Sequence, residues 1–374
     1  MGVLDGIRII EFAGIGPGPF CGMLLADMGA EVILIERSGG KDPMSMGQNA
    51  IVNRGKRSLE LNLKDPLAVD AVLRLIATAD GLIEGMRPGV MERLGLGPEV
   101  CLQTQPALAY GRMTGWGQDG PLAKAAGHDI NYIALSGALW FSGLPGTVPT
   151  APPTLVGDLG GGALYLALGM LGAILHARRT GAGQVVDAAI VDGSANLMNL
   201  LLSAHAAGMQ PFARGTGMLD GPHWYGSYVC ADGACISIGA LEPQFNAQLF
   251  ARLGLADDAD FKNPYDAKQW GRLRTRLTEL FMQQPSAHWT ALLEGSDACF
   301  APVLNPEQAM HHPHMAARQI YSRPNGVLQA APAPRFSLTP SVIGTIPQSG
   351  AHSRAILLAA GLSEQEIRAV IGNR

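Results

Sequence analysis

Apolar positions along the chain follow two rhythms. "IRIIEFA" (7–13) and "EVILIER" (31–37) are short, nearly continuous apolar runs, as in strands buried on both faces. "SLELNLK" (58–64) alternates with period two, and "PLAVDAVLRLIATA" (66–79) repeats with helical spacing behind Pro66, near the first turn. "GLIEGM" (81–86) and "LAYGRMTG" (108–115) predict further strands. From about 160 the pattern is helical, is broken by the strand "GQVVDAAIVDG", and returns to helix as far as about 207. Strands alternating with helices predict an α/β fold, a mostly parallel sheet wrapped by helices.

The rhythm changes after the glycine-rich connector "ARGTGMLDGP" (213–222). "SYVCADGACISIGA" (227–240) predicts a hairpin turning at Asp232-Gly233, with helices near 242–253 and 269–284. Residues 225–320 therefore read as a smaller α+β domain, joined by a linker at 213–224 to a large domain built from 1–212. In the tail "SEQEIRAVIG", Ser363 and Glu366 form a capping box, which predicts an ordered terminal helix.

Composition narrows the function. A chain of 374 residues exceeds one small core. With 47% hydrophobic and 16% charged residues it is ordinary soluble material, and a net charge of −4 gives no footing for a nucleic-acid partner. Five scattered cysteines without a CxxC pair point to a reducing compartment. The opening "MGVLDGIRIIEFAG" shows no basic-then-apolar leader and the ending "VIGNR" no organelle address, so a cytoplasmic location is expected. Leu159 to Leu175 is uncharged but short and glycine-broken, which favours a buried helix over membrane insertion. The histidines of "MHHPHM" (310–315) lack helical i, i+4 spacing, so no metal site is expected. No G-x-S-x-G nucleophile signature is present.

The stretch "EFAGIGPGPFCGMLLADMGAEVILIER" (11–37) has the layout of a dinucleotide-binding unit, with Glu36 where a ribose-binding acid would fall. The G-x-G-x-x-G fingerprint fails, however. Starting from Gly14 the third glycine position is Pro19, and starting from Gly16 it is Cys21. Pro17 and Pro19 also remove two N–H donors from the loop that should cradle a pyrophosphate. The cluster Arg37, Arg54, Lys56 and Arg57 suits a ligand with a free phosphomonoester better than NAD.

Three segments carry ionisable groups in apolar or glycine-rich settings: "AGHDINY" with His128 and Asp129, "LVGDLGGG" with Asp158, and "GALEPQF" with Glu242. Each has a plain structural reading. Asp158 reads as a helix N-cap, His128 as a buried, satisfied imidazole, and Glu242 as a first-turn acid. The functional reading is that glycines 160–162 let a ligand approach a helix start whose free N–H groups could meet an oxyanion.

Together with "LIEGMRPGVMERLGLG", "GRMTGWGQDGP" and "GQVVDAAIVDGS", these segments resemble, in order from residue 5 to about 340, the α-methylacyl-CoA racemase branch of the CaiB/BaiF (class III CoA-transferase) family. The resemblance implies a Rossmann-like large domain that binds CoA rather than NAD, a smaller α+β domain, a return of 321–374 to the large domain, and an interlocked homodimer with each active site between the large domain of one chain and the small domain of the other. It implies His128, Asp158 and Glu242 as catalytic residues, and Arg37, Arg54, Lys56, Met86, Arg57, Arg87 and Arg93 as CoA contacts. It also places Ile15, in the glycine-proline turn, and Tyr225 near the substrate. The implied reaction interconverts (R)- and (S)-2-methylacyl-CoA by 1,1-proton transfer through an enolate, with no cofactor beyond the substrate's own CoA. The alternative is CoA transfer between carboxylic acids through an anhydride on Asp158. One departure is Thr154, where related racemases often carry Asn.

Overall fold

The computed structural model describes residues 2–39 and 46–372, so the last two residues of "VIGNR" lie outside the described residues. By contact density the chain forms two compact units: Met1–Leu139, Ala151–Leu197 and Ser322–Arg374 in the first, Trp140–Thr150 and Met198–Tyr321 in the second. The division at Met198 gives residues 198–212 to the second unit, whereas the apolar pattern runs them on from the preceding helix. The segment 140–150 joins them there because its contacts are with the 205–220 loop: Arg214 donates to the carbonyls of Ser142 and Thr147, and Trp140 Nε1 donates to that of Phe212.

In the first unit the strands are β1 (Arg8–Phe12), β2 (Glu31–Arg37), β3 (Arg57–Leu61), β4 (Gly81–Glu84), β5 (Ala109–Thr114) and β6 (Gln184–Ala189). They form one six-stranded sheet in the order β3-β2-β1-β4-β5-β6. Every pairing is parallel, with Ile9 opposite both Val32 and Gly81. The chain runs outward from β1 on one side, then restarts at β4 on the other. The cleft above the carboxyl ends of β1 and β4 is thus a topological switch point, where open α/β sheets bind ligands.

The helices that matter for that edge are α1 (Pro17–Asp27), α2 (Pro66–Ile76), α3 (Val90–Arg93), α4 (Pro98–Thr104), α5 (Asp129–Ser136), α6 (Leu164–Thr180) and α7 (Ile190–Leu197). Their starts follow sequence chemistry. Pro17 and Pro66 occupy first-turn positions, and Asp65 caps α2 by accepting from the Leu67 N–H. α2 buries Ala68, Ala71, Val72, Leu75 and Ile76 against β-strand residues such as Ile33, Leu59 and Tyr110. The capping box of Ser363 and Glu366 forms as expected, starting the helix Glu364–Ile371.

Helix α6 corrects one expectation. Leu166, Ala167, Met170 and Ala173 face the sheet, but Leu164, Leu168 and Leu175 are 52%, 69% and 62% exposed. Its apolar character is therefore two-faced rather than buried all round. With the segment before it, Leu155–Thr180 is the one helix among the described residues long and apolar enough to cross a membrane by length and composition alone.

The second unit contains α8 (Asn199–Ala206), β7 (Tyr225–Val229), β8 (Cys235–Gly239), α9 (Pro243–Arg252), α10 (Trp270–Phe281), α11 (Ser286–Leu293) and β9 (Phe300–Pro302). The expected hairpin is β7–β8, and β9 adds a third antiparallel strand that sequence reading missed. Three residues are too few to show a period-two pattern. Trp224, Phe281, Trp289 and Leu273 fill this unit's own core.

Candidate active site

The turn after β1 is built by Gly16, whose φ of 72° a residue with a side chain rarely adopts. Pro17 then opens α1. This turn, Gly85 after β4 and the start of α5 enclose a pocket of about 420 Å³ that includes Ile15, His128, Tyr132 and Asp158. Three of the sequence-predicted residues are thus brought together at the switch point.

His128 sits at the N-cap of α5, where its N–H donates to Asn131 Oδ1 at 3.1 Å. Its side chain is exposed at the pocket, so the plain reading of a buried, satisfied imidazole does not hold. Asp158 is not an N-cap either. It is the fourth residue of a π-helical segment, Leu155–Ala163, that leads into α6, and the N-cap is Thr154. π-helical turns are rare and often accompany functional sites. Glycines make this one possible: Gly161 lies against the Ser194 backbone, and a Cβ on Gly162 would stand 3.0 Å from the Ile190 side chain.

The Asp158 carboxylate is half-buried, and burial raises its pKa above the usual aspartate value, helped by the charge of Asp129. A hydrogen bond from Thr154 and the nearby His128 act in the opposite direction. Thr154 Oγ1 donates to Asp158 Oδ2 at 2.9 Å, so the threonine that departs from the family pattern reaches the carboxylate directly. Asp129, which sequence reading noticed beside His128 without giving it a role, accepts the Asp158 N–H at 2.7 Å. Leu159 N–H goes to the Thr154 carbonyl at 3.0 Å. The amides of Asp158 and Leu159 are therefore already used, and an oxyanion would have to be met by other donors. Tyr132 closes the floor: its hydroxyl donates to the Gly127 carbonyl and its ring stands edge-on to Trp116, with centroids 4.7 Å apart. Burial, then the charge of Asp158, pushes this phenol above its ordinary pKa.

The cations divide sharply. Arg54, expected as a CoA contact, is committed within the fold. It is 3% exposed and makes a two-pronged ion pair with Asp27 at 2.9 and 2.5 Å, while also donating to Gln329 and the Ala330 carbonyl. Lys56 is equally committed. Its Nζ lies 2.7 Å from Glu11 Oε1 and 2.9 Å from the Pro19 carbonyl, and both side chains of the pair are fully buried. These two cations tie the sheet to α1, and no phosphate can reach them without breaking a buried pair. Burial pushes Glu11 up to about 7 despite Lys56. Arg57 is half-buried and pairs with Glu31, which Arg8 also holds. Glu36, the residue in the ribose-acid position, accepts from Ser58.

Arg37, Arg87 and Arg93 are exposed and have no ion-pair partner among the described residues. Arg87 and Arg93 ride on the segment after β4, which Arg112 anchors from below through Glu84 and Glu92, each at 2.9 Å. Met86 is held in the same turn by its N–H to Glu84 at 2.7 Å. These cations at the carboxyl edge of the sheet could hold the phosphates of CoA.

In the second unit, Tyr225 opens β7 opposite Gly239, and Glu242 follows the end of β8 at the N-cap of α9. The two therefore share one end of the hairpin. Glu242 is exposed and its carboxylate accepts no cap hydrogen bond, so it is not simply a helix-capping acid. Its charge is felt by Tyr265 and by Cys299. Among the described residues no group of three or more His, Cys, Asp or Glu side chains is arranged to hold a metal ion.

A model of CoA-transferase family III matches residues 4–353. An α-methylacyl-CoA racemase from Mus musculus is 42% identical over 98% of this chain and 95% of its own length. A Homo sapiens protein of the same name is 39% identical over 97% and 95%. Among solved structures, a CaiB/BaiF family protein from Brucella suis superimposes with a TM-score of 0.83 at 26% identity, covering 96% of this chain and 99% of that one.

Proposed function

The chain belongs to CoA-transferase family III, and from its 42% and 39% identity to α-methylacyl-CoA racemases over nearly its whole length we propose that it racemises 2-methylacyl-CoA thioesters. The observation that carries the reading is the pairing of His128 with Asp158 on one pocket at the sheet's switch point. A carbon next to a thioester carbonyl loses its proton to give an enolate. Inversion then needs a base on one face and an acid on the other. With Asp158 ionised and His128 protonated, Asp158 takes the α-proton and His128 returns one to the opposite face. The reverse reaction starts from neutral His128 and protonated Asp158. Histidine suits this exchange because its pKa lies near neutrality. Glu242 is proposed as a further catalytic residue on the family resemblance alone.

CoA is the handle of the substrate, held by Arg37, Arg87 and Arg93. No cofactor beyond it enters the proposed chemistry. A homodimer accords with the exposed leucines of α6 in the first unit. Cys21, Cys101, Cys230, Cys235 and Cys299 are all free thiols, which supports the proposal of a reducing, cytoplasmic setting. CoA transfer through an Asp158 anhydride is the alternative within the same family, and His128 at the pocket favours the racemase.

The deciding experiment measures α-deuterium wash-in from heavy water together with trapping of an Asp158 adduct. Wild type should exchange the α-proton without accumulating an adduct. His128→Ala should lose turnover in both directions, yet keep exchange from the one enantiomer whose proton faces Asp158. No exchange, an adduct on Asp158 and passage of CoA to a free acid would establish the transferase instead.

A further inference from the structure

Thr154 is a β-branched residue held in the left-handed region, with φ 61° and ψ −10°. Glycine and asparagine adopt this conformation far more readily, and a β-branched side chain there is strained. Such strain persists where the surroundings over-determine it, and often at functional sites. The contact that accompanies it is the hydroxyl, with Oγ1 donating to Asp158 Oδ2 at 2.9 Å. On its other side, the same carboxylate oxygen stands 3.3 Å from the point that a Cβ on Gly16 would occupy. Oδ2 is therefore boxed between the threonine hydroxyl and the glycine turn. Among the described residues no hydrogen-bond donor meets Oδ1. The Thr154 carbonyl also accepts the Leu159 N–H at 3.0 Å, which pins the first π turn around Asp158.

We propose that Thr154 is a positioning residue for the reaction: its hydroxyl fixes the Asp158 carboxylate by Oδ2, favours its ionised form, and leaves Oδ1 as the atom that exchanges the α-proton. This rests on the racemase reading given above. The other groups acting on Asp158 are His128 and Asp129 at the start of α5, and Tyr132 one turn further on also interacts with it. His128 opposes the rise in the Asp158 pKa, whereas Asp129 adds to it. The turn before α1, Ala13 to Gly16, contributes no titratable group, Asp192 of α7 acts on Asp187, and Arg87 acts on Tyr132. Thr154 is thus the neutral donor in this set that stabilises the carboxylate by a direct side-chain hydrogen bond.

The test compares Thr154→Val, which keeps shape and loses the hydroxyl, Thr154→Ser, which keeps the hydroxyl, and Thr154→Gly, which relieves the backbone and loses the hydroxyl. The substrate is 2-methyldecanoyl-CoA. The readouts are kcat and KM against pH, α-deuterium wash-in, and the thermal midpoint. Val and Gly should move the acidic limb of the kcat/KM profile up by about half to one pH unit and lower kcat more than they raise KM. Ser should restore the wild-type limb. Gly should have a thermal midpoint at or above that of Val, because its backbone is at ease at a positive φ. A merely structural threonine would give the opposite: folded variants that keep the wild-type pH profile, or full activity in Gly. Either result overturns the proposal, as does Ser behaving like Val. Failure of wild type itself to wash in deuterium would bring down the racemase reading and this proposal with it. Normal wash-in by wild type with an unmoved limb in Val removes only the role of Thr154.

Discussion

Arg54 and Arg87 look alike in the sequence and should behave in opposite ways when replaced. In Arg54→Met the guanidinium that meets both oxygens of Asp27 disappears, leaving a carboxylate that is 4% exposed. Removing one partner of a buried pair costs about 3–5 kcal/mol, because the remaining charge stays out of water. Arg54 also holds Gln329 and the Ala330 carbonyl, so the segment at 329–330 loses its anchor as well. For a unit of this size each kcal/mol moves the midpoint by roughly 2–4 °C, giving a fall of about 6–20 °C. The double variant Arg54→Met/Asp27→Leu should recover most of that loss, since an apolar pair replaces an orphaned charge. Arg87→Met should leave the midpoint unchanged and weaken CoA, with the loss larger at low salt, because a phosphate contact on the surface is screened. Calorimetric Kd values for CoA and thermal scans of the three variants decide the matter. An Arg54→Met protein with a wild-type midpoint and lost CoA affinity would refute the structural reading of this residue.

Gly16→Ala should cost about 1–2 kcal/mol of stability through the positive φ and depress kcat further, because its methyl would sit 3.3 Å from Asp158 Oδ2. An unaltered kcat would show that the turn does not shape the carboxylate. His223 in the second unit is fully buried, both its ring nitrogens lack a hydrogen-bond partner among the described residues, and burial above all holds its pKa down to about 3. Its folded-state pKa lies below the unfolded value of 6.5. Its neutral form is therefore accommodated in full above that value, and stability drains away as pH falls from there toward 3. At pH 5 the penalty is about 2 kcal/mol. Urea melts of His223→Phe against wild type at pH 8 and pH 5 should differ by that amount, and equal pH slopes would contradict it.

Local sequence chemistry settled the elements of this protein. Apolar runs separated by helical periodicity require a parallel α/β sheet. Proline, aspartate and serine at helix starts work within three or four residues, so their effects could be read in place, as Asp65 and Ser363 illustrate. The ordered set of segments around His128, Asp158 and Glu242 was likewise legible as a family pattern. What stayed hidden depends on partners distant along the chain. Arg54 finds Asp27 across 27 residues and Gln329 across 275, and Lys56 finds Glu11 across 45. Nothing local distinguishes a cation buried in such a pair from one free to meet phosphate. The phase of the π segment was equally invisible. It moves Asp158 off the N-cap and spends its amide on Asp129, and only the packing of Gly157, Gly161 and Gly162 against α5 and α7 permits it. Covalent neighbours determine which element forms, but burial and pairing determine which charge remains available, and those arise only when the chain has closed on itself.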